Sequence, residues 1–479
     1  MMPVRLTGWL RRFMLSAQGF RRRWTGIASE TGDSDSVRAL LPLAAAGDPA
    51  AQFRLGLAHA RGVGVVQNMA DAVHWLAQAA AAGHAPAQLE LGLLLVTGRA
   101  APHEAQPPAR WYRAAATHHR AAADANLSLL YPHGWGVPKD TCAGLAWLRH
   151  AAAQGLAAAQ VQLGMILAAG HETDRDLESA LRLYRAAADQ GDADAQFLLG
   201  SLLAGGQGVA LDLPEALRWF HAAAAQDHAR AQINLGVMYA QGRAGAVDFE
   251  AARHWYAAAA AHGEPSAYFN LALLYAGGHG VPQDYRLALH WFGEAAERGD
   301  PTAQFNVGLI HASGLAGPAN PAEALIWYRK AAASGHVAAQ INLGLLHLSA
   351  AGVMRDSGEA AQWFHKAAAG GNAVAQYNLG LLCLRGEGVT RSVAKALHWL
   401  ELAAAQNHAP AQLQLGQLLA ESEGGPAALV QAHAWLTRAE AGLAPGDARA
   451  AAATLRDRVA ACLSAQERAG GLATHASPV

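Results

Sequence analysis

Histidine is the residue type in this sequence that most readily suggests chemistry. The chain holds 23 histidines, and an imidazole can bind a metal ion or transfer a proton near neutral pH. Eight of them recur at two positions spaced by multiples of 36 residues, namely His74, His254, His290 and His398, and His84, His228, His336 and His408. Side chains on separate structural units do not converge on one ion or substrate. We therefore expect no metal site.

The sequence also lacks the short motifs that indicate catalysis. HExxH, GxSxG, GxxxxGK[ST] and Cys/His ligand spacings are absent. The adjacent pair His118-His119 would point apart on a helix. The Gly-x-Gly-Val turns follow predicted helices and not strands, unlike phosphate-binding loops. We expect a protein that is not an enzyme, with no catalytic residues, no cofactor and no small-molecule substrate.

Five asparagines are the remaining candidates for a binding site. They are spaced by 36 residues, at Asn234, Asn270, Asn306, Asn342 and Asn378. An amide offers both a donor and an acceptor to the backbone of an extended chain. The alternative is that each amide bonds to the backbone of the adjacent repeat, since a buried amide needs partners in either case. The equivalent positions of the first five units carry Arg54, Glu90, Asn126, Gln162 and Leu198, so this asparagine ladder favours the C-terminal half.

The elements that position these residues follow from an internal repeat of 36 residues. An alanine recurs eleven times without an insertion, at Ala51, Ala87, Ala123, Ala159, Ala195, Ala231, Ala267, Ala303, Ala339, Ala375 and Ala411, and Gln follows it in nine units. A tryptophan keeps the same spacing at Trp75, Trp111, Trp147, Trp219, Trp255, Trp291, Trp327, Trp363, Trp399 and Trp435, with Leu183 at the remaining position. A fixed period of this length indicates stacked supersecondary units.

Each unit reads as two helices. An acidic residue followed by proline, as in Asp300-Pro301, predicts the start of the first helix. Glycine-rich turns such as Gly62-Val63-Gly64-Val65 separate it from the second helix. The second helix starts at a recurring cap: Asp140, Asp176, Asp212, Asp248, Asp284, Asn320 and Asp356. Glu215, Glu323 and Glu359 follow three of these caps at the spacing of a capping box.

A glycine recurs inside the first helix, as in Gly200, Gly308 and Gly344. Glycine costs about 1 kcal/mol relative to alanine in a helix, so a bulky side chain is expected to pack against it. The candidates are the recurring tryptophan and its neighbours Phe220, Tyr256, Phe292, Tyr328 and Phe364. Close contact of this kind would stack the helix pairs into a continuous core with contacts only between neighbours.

The predicted fold class is all-α, a right-handed superhelical solenoid of about eleven helix-turn-helix units over residues 36–442. Residues 443–465 are predicted to form a capping helix, because a stack must cover its last apolar face, and residues 466–479 a disordered tail. The least regular joint is expected between residues 98 and 136, where Pro102, Pro107 and Pro108 should delay the start of a second helix and Pro132 falls near the end of a first helix.

Composition excludes several classes of protein. The sequence is 52% hydrophobic and 15% charged, too apolar for disorder, and it lacks the roughly 20 consecutive apolar residues of a membrane span. A net charge of −1 offers nucleic acid no attraction, so no nucleic-acid partner is expected. Cys142, Cys383 and Cys462 show no paired spacing, which argues against a disulfide framework. We expect a cytoplasmic protein.

The N-terminal segment, residues 1–35, differs from the rest in charge. Six arginines and one acid lie in the first 30 residues. Leu6, Trp9, Leu10, Phe13, Met14 and Ala17 recur there at helical spacing. A basic amphipathic helix can lie on an anionic membrane, with Trp9, Arg11, Arg12 and Phe13 as the contacting residues. The alternative is a flexible chain end. The first alternative would place the protein at the inner face of a membrane.

The repeat resembles the Sel-one-like repeat family, relatives of the tetratricopeptide repeats. The resemblance rests on the pattern Ala-Gln-x-Asn-Leu-Gly-x-x-Tyr, a Gly-x-Gly-Val turn, an Asp cap and Ala-x-x-Trp-x-x-x-Ala-Ala-x-x-Gly, seen most fully at residues 231–263, 267–299 and 375–407. It covers about residues 36–442. The resemblance implies a helical solenoid that acts as an adaptor in multiprotein complexes, often in bacterial signalling or envelope assembly.

The resemblance also implies which face binds. First helices line the concave wall of tetratricopeptide-like solenoids, and peptide-binding relatives use an asparagine at this position to hold ligand backbone. Some cysteine-rich members bear a disulfide in every repeat and are linked to β-lactam binding, but this sequence lacks those cysteines. The predicted function is a non-enzymatic scaffold that binds a protein or peptide on its concave face. The alternative is a membrane-surface-associated structural or assembly factor of a bacterial envelope complex.

Overall fold

The structure, a computed structural model, describes residues 34–97, 107–118, 120–135, 137–170, 173–206, 208–243, 245–349, 354–422 and 425–474, with side chains described up to residue 463. Within these ranges every regular element is an α-helix. The all-α prediction is therefore confirmed. The chain divides into two compact units, one up to Val247 and one from Asp248.

The helices alternate regularly between the first and second helix of a repeat. The first unit contains α1 (Ser34–Ala45), α2 (Pro49–Arg61), α3 (Met69–Ala81), α4 (Ala85–Val96), α5 (Pro108–Ala116), α6 (Ala121–His133), α7 (Thr141–Ala153), α8 (Ala157–Ala169), α9 (Leu177–Ala188), α10 (Ala193–Gly205), α11 (Leu213–Ala224) and α12 (Ala229–Ala240). The second unit contains α13 (Phe249–Ala261), α14 (Pro265–Gly277), α15 (Tyr285–Glu297), α16 (Pro301–Ser313), α17 (Pro321–Ala333), α18 (Val337–Ser349), α19 (Ser357–Ala369), α20 (Ala373–Arg385), α21 (Val393–Ala405), α22 (Ala409–Ala420), α23 (Gly425–Gly442) and α24 (Asp447–Thr474). Within each unit, every helix packs on the helices before and after it.

The predicted caps start the helices. Asp300 Oδ1 accepts from the backbone N–H groups of Thr302 and Ala303 at 2.8 and 3.1 Å. These are two of the donors that a helix N-terminus leaves without an internal partner. At the other end, Gly314 lies in the left-handed region, at φ 68°, and its N–H donates to the carbonyl of Ile310. This geometry ends α16 and turns the chain into α17.

The predicted capping boxes are only half formed. The N–H of Glu323 donates to Asn320 Oδ1 at 3.1 Å, but the Glu323 carboxylate accepts from Trp327 Nε1 at 3.0 Å. The N–H of Asn320 donates to the carbonyl of His311 in the preceding helix. Because that donor already has a partner in α16, the reciprocal bond of the box is not needed, and the glutamate is free to orient the tryptophan.

A buried glutamine joins successive repeats. In nine repeats the glutamine Nε2 donates to the backbone carbonyl eight residues earlier, at the end of the preceding second helix. The bond from Gln376 to Ala368, at 3.3 Å, is one example. Carbonyls in the last turn of a helix lack an intrahelical donor. The Gln376 Oε1 also accepts from Gln406, which follows the second helix of the same repeat, at 2.8 Å. One amide therefore contacts three helices.

Two repeats replace this glutamine. Tyr268 donates its hydroxyl to the carbonyl of Ala260 at 2.8 Å, so the bond is kept with another donor. Asp124 is completely buried and instead accepts from His150 Nδ1, at 2.8 Å, and from Gln154 Nε2. Neither partner lies on the preceding second helix. The hydrogen bond to the preceding second helix is thus replaced by hydrogen bonds within the repeat of Asp124.

The helical glycine packs against the residue after the tryptophan. A β-carbon at Gly308 would lie 2.7 Å from Cδ1 of Tyr328, and one at Gly200 would lie 2.9 Å from Phe220. The same contact is made by Leu76, Tyr112, Tyr184, Phe364, Leu400 and Leu436. Of the two candidates that the sequence offered, the neighbour of the tryptophan is the one that makes the contact.

The tryptophan itself lies partly buried against the neighbouring repeat. Trp363 of α19 packs on the core cluster formed by Tyr328 of α17 and Leu343 of α18, and Lys366 lies over its ring at 3.9 Å. An amphipathic ring suits such a position, with one edge on the core and the other at the surface. The tryptophan therefore packs between neighbouring repeats and does not fill the space beside the glycine.

The joint between the second and third repeats and the two chain ends depart from the regular helix pattern. The second helix of the second repeat starts late, and α5 is the shortest helix of the described residues. Pro132 lies in the last turn of α6. At the front, Val37, Leu40 and Ala44 of α1 bury against α2. At the far end α24 continues to Thr474, past residue 465, where the sequence predicted the capping helix to end.

Substitution of the helical glycine tests the ring contact. Gly308→Ala should destabilise the fold by about 1–3 kcal/mol, because the new β-carbon overlaps the Tyr328 ring. Gly293→Ala in α15 is the matched control, since nothing lies within 4 Å of its β-carbon position, and it should stabilise by up to about 1 kcal/mol through helix propensity. Urea unfolding followed by circular dichroism measures both. Changes of the same sign would contradict this account.

Loss of the hydrogen bond from the repeat glutamine to the preceding second helix should lower the stability of the protein. Gln376→Ala removes the bond to Ala368 and the acceptor for Gln406, at an expected cost of about 1–2 kcal/mol. Gln362→Ala, on the exposed side of α19, should change stability by no more than about 0.5 kcal/mol. The same unfolding measurement compares the two variants. Equal stability of the two variants would show that this hydrogen bond does not stabilise the protein.

Candidate protein-binding face

The asparagines of the predicted ladder lie on the first helices of their repeats. Asn234 is on α12 of the first unit, and Asn270, Asn306, Asn342 and Asn378 are on α14, α16, α18 and α20 of the second unit. All five side chains are half-buried. Each amide therefore keeps part of its surface open to solvent while its helix is held by the stack.

The amide donors of Asn306, Asn342 and Asn378 are used within the protein. Nδ2 of Asn306 donates to the carbonyl of Thr302 at 2.8 Å, and Nδ2 of Asn378 to that of Val374 at 2.8 Å. Both acceptors belong to the asparagine's own helix and not to the backbone of the adjacent repeat. In these bonds Nδ2 is the donor, so the carbonyl oxygen Oδ1 takes no part in them. The bonds hold the amide against its own helix and leave Oδ1 as the acceptor not used by them.

Asn342 differs because it reaches the preceding repeat. Its Nδ2 donates to the hydroxyl oxygen of Tyr328, on α17, at 3.4 Å. Burial raises the pKa of Tyr328, while the bond from Asn342 acts in the opposite direction. The phenol therefore stays protonated at neutral pH and is a neutral acceptor. This hydrogen bond links Asn342 of the asparagine ladder to Tyr328, whose ring packs on Gly308.

A leucine accompanies each asparagine of the second unit, three residues later. These are Leu273, Leu309, Leu345 and Leu381, and residues at this spacing share one face of a helix. Leu273 and Leu345 are 43% and 42% exposed, and the other two are half-buried. We call the four asparagines and four leucines of the second unit the Asn–Leu face. The 36-residue spacing of these leucines is visible in the sequence, although only the asparagines were predicted as protein-binding residues.

The Asn–Leu face is uncharged. The residues one turn before its asparagines are Ser266, Thr302, Ala338 and Val374. In the first unit, by contrast, Arg54, Glu90, Asp194 and Arg230 lie at the asparagine position or one turn before it. Recognition on this face would use amide hydrogen bonds and aliphatic contact. Interactions of these kinds depend little on ionic strength.

The repeated histidines have structural positions. The rings of His74, His254, His290 and His398 pack edge-on or tilted against the tryptophan that follows each of them. The second set, at His84, His228, His336 and His408, lies at helix N-termini, where each Nδ1 accepts from a backbone N–H. Within the described ranges no three His, Cys, Asp or Glu residues are grouped so that they could hold a metal ion.

The predicted membrane contacts Trp9, Arg11, Arg12 and Phe13 lie outside the described residues. Among the helices of the described part, none combines the length and the apolar character that a membrane crossing requires.

The repeats match a known family model, that of the Sel1 repeat. The matched segments are residues 49–84, 121–156, 157–192, 193–228, 229–264, 265–300, 301–336, 337–372, 373–408 and 409–441. The chain belongs to the Sel1 repeat family. The family model matches ten repeats, whereas about eleven were predicted from the sequence. The helix pair α4 and α5 lies in the unmatched stretch and contains the late-starting α5.

Solved structures of Sel1-like repeat proteins have the same fold. The chain is 30% identical to a protective antigen of uropathogenic Escherichia coli with an SLR fold, covering 90% of this chain and 91% of that one, with a TM-score of 0.69. A Sel1 repeat protein from Oxalobacter formigenes is 32% identical over 70% of this chain and 93% of its own, with a TM-score of 0.56. Comparison with curated proteins gives no significant match. Sel1 repeat solenoids typically serve in protein–protein interaction.

Proposed function

We propose that this Sel1 repeat protein is a non-enzymatic adaptor that binds an extended or helical segment of a partner protein on its Asn–Leu face. The observation that carries this function is the recurrence of one arrangement in four consecutive repeats of the second unit. In each repeat a half-buried amide and an aliphatic side chain share one side of the first helix. Asn234 is the preceding member of the series in the sequence and lies in the first unit.

The chemistry of the face suits a peptide. Oδ1 of Asn306 and Oδ1 of Asn378 can accept from backbone N–H groups of an extended segment, since their Nδ2 atoms are already bonded. Leu273 and Leu345 offer exposed apolar surface to side chains of the same segment. Neighbouring repeats present this pair at regular intervals, so a longer segment gains additional contacts of the same kind. The absence of charge favours an uncharged, partly apolar segment.

Removal of the amides tests this function. With the full chain as bait in its native cell extract, Asn270→Ala, Asn306→Ala and Asn342→Ala together should abolish capture of the partner. Helicity should not change, because two of these amides bond only within the helix or to a side chain. Mass spectrometry of the captured proteins and circular dichroism provide the two readouts.

The matched control replaces exposed residues of the second helices. His290→Ala, Gln362→Ala and His398→Ala alter three exposed side chains at one repeat position, directly before the tryptophan. This variant should capture the same partner as the unmodified chain. Retained capture by the asparagine variant would move the binding site elsewhere on the protein.

A membrane-surface role in a bacterial envelope complex is the second candidate, favoured by the sequence of residues 1–30. Six arginines there alternate with apolar residues at helical spacing, the pattern of a helix that binds anionic lipid. The full chain should float with vesicles containing anionic phosphatidylglycerol, and a chain lacking residues 1–24 should not. Zwitterionic phosphatidylcholine vesicles are the control. Equal flotation of both chains would remove this role.

A further inference from the structure

Four first helices begin with a histidine where others begin with Asp or Asn. Nδ1 accepts from the backbone N–H three residues later, at 3.3 Å for His84 and 3.2 Å for His228, His336 and His408. An imidazole nitrogen can accept only when it carries no proton. In these caps Nδ1 is therefore deprotonated, whereas an Asp or Asn cap such as Asp300 or Asn372 accepts through an oxygen.

Each histidine cap also packs on an aromatic ring of the preceding repeat. The ring centroids are 4.8 Å apart for Phe53 and His84, 4.7 Å for Phe197 and His228, 4.8 Å for Phe305 and His336, and 5.0 Å for Tyr377 and His408. The aromatic residue lies 31 positions before the histidine in every case, and no histidine cap occurs without it. The pair connects the first helices of two consecutive repeats.

The surroundings of three of these histidines oppose protonation. Burial lowers the pKa of His84, with the positive charge of Arg120 acting in the same direction and Asp48 acting against it. Burial likewise lowers the pKa of His336, against the carboxylate of Asp300. For His408, burial beside Tyr377 is the cause of the lowered pKa.

His228 has a different environment. Its Nε2 lies 3.2 Å from Asp194 Oδ1, and the carboxylate of Asp192, the cap of the preceding first helix, also acts on it. This histidine therefore has a carboxylate beside Nε2 in addition to the cap at Nδ1.

We propose that the caps at His84, His336 and His408 make three repeat junctions sensitive to acid, so that mild acidification weakens the stack at these places. Below the unfolded-state value of 6.5, the unfolded chain takes up protons that the capped histidines resist. Stability is therefore fully present above about pH 6.5 and is lost as the pH falls through and below it. Once protonated, Nδ1 becomes a donor facing a backbone donor, and the cap is lost.

The test compares the pH dependence of stability in full-length variants. His84→Asn, His336→Asn and His408→Asn together keep a cap that does not titrate, as Asn372 does at the same repeat position. Urea midpoints measured at pH 7.5 and 5.5 should fall on acidification for the unmodified chain and fall clearly less for the triple variant. A fall of equal size in the triple variant and the unmodified chain would overturn the proposal.

Hydrogen exchange of the unmodified chain gives a second measurement that needs no variant. After correction for the intrinsic rates, peptides covering the first turns of α4, α18 and α22 should lose protection between pH 7 and 5.5. Those covering the Asp300 and Asn372 caps of α16 and α20 should keep theirs. Equal loss at both kinds of cap would also overturn the proposal.

Discussion

The hydrogen bond from the repeat glutamine to a carbonyl of the preceding second helix is the interaction on which the stack depends. A helix end leaves carbonyls without donors, and here those ends are covered by the next repeat. The glutamine amide is buried together with the carbonyl it serves, so loss of either group would leave the other without a partner in an apolar environment. Tyr268 keeps the bond with another donor, whereas Asp124 at the same repeat position bonds within its own repeat.

Close approach of the two helices of a repeat is set by a second contact, between the glycine and a ring or leucine of the second helix. Repetition of both contacts gives the first helices similar environments in successive repeats. The asparagines, the leucines beside them and the histidine caps all lie on these first helices. Regular stacking thus converts a single position of the repeat into a series of equivalent surface groups.

Much of this could be predicted from the sequence, because helix starts and ends are local. Asp300, Asn320 and Gly314 need only their neighbours in the chain to cap a helix, and the 36-residue period requires stacked units. The prediction was less complete where a group has several partners to choose from. Glu323 bonds to Trp327 and does not close a capping box, and Tyr328, rather than Trp327, packs on Gly308.

The amino-acid sequence by itself determined the helical class, the helix-pair repeat, the family and the positions of the asparagines, since these follow from periodicity and local capping. Only the tertiary structure decided which atoms remain for a partner. Asn306 uses its Nδ2 on its own helix, Leu273 stays exposed, and His336 presents an unprotonated nitrogen to a backbone donor beside Phe305. Such outcomes depend on side chains brought together from different helices, whose competition for hydrogen bonds and space is settled by packing and not by spacing along the chain.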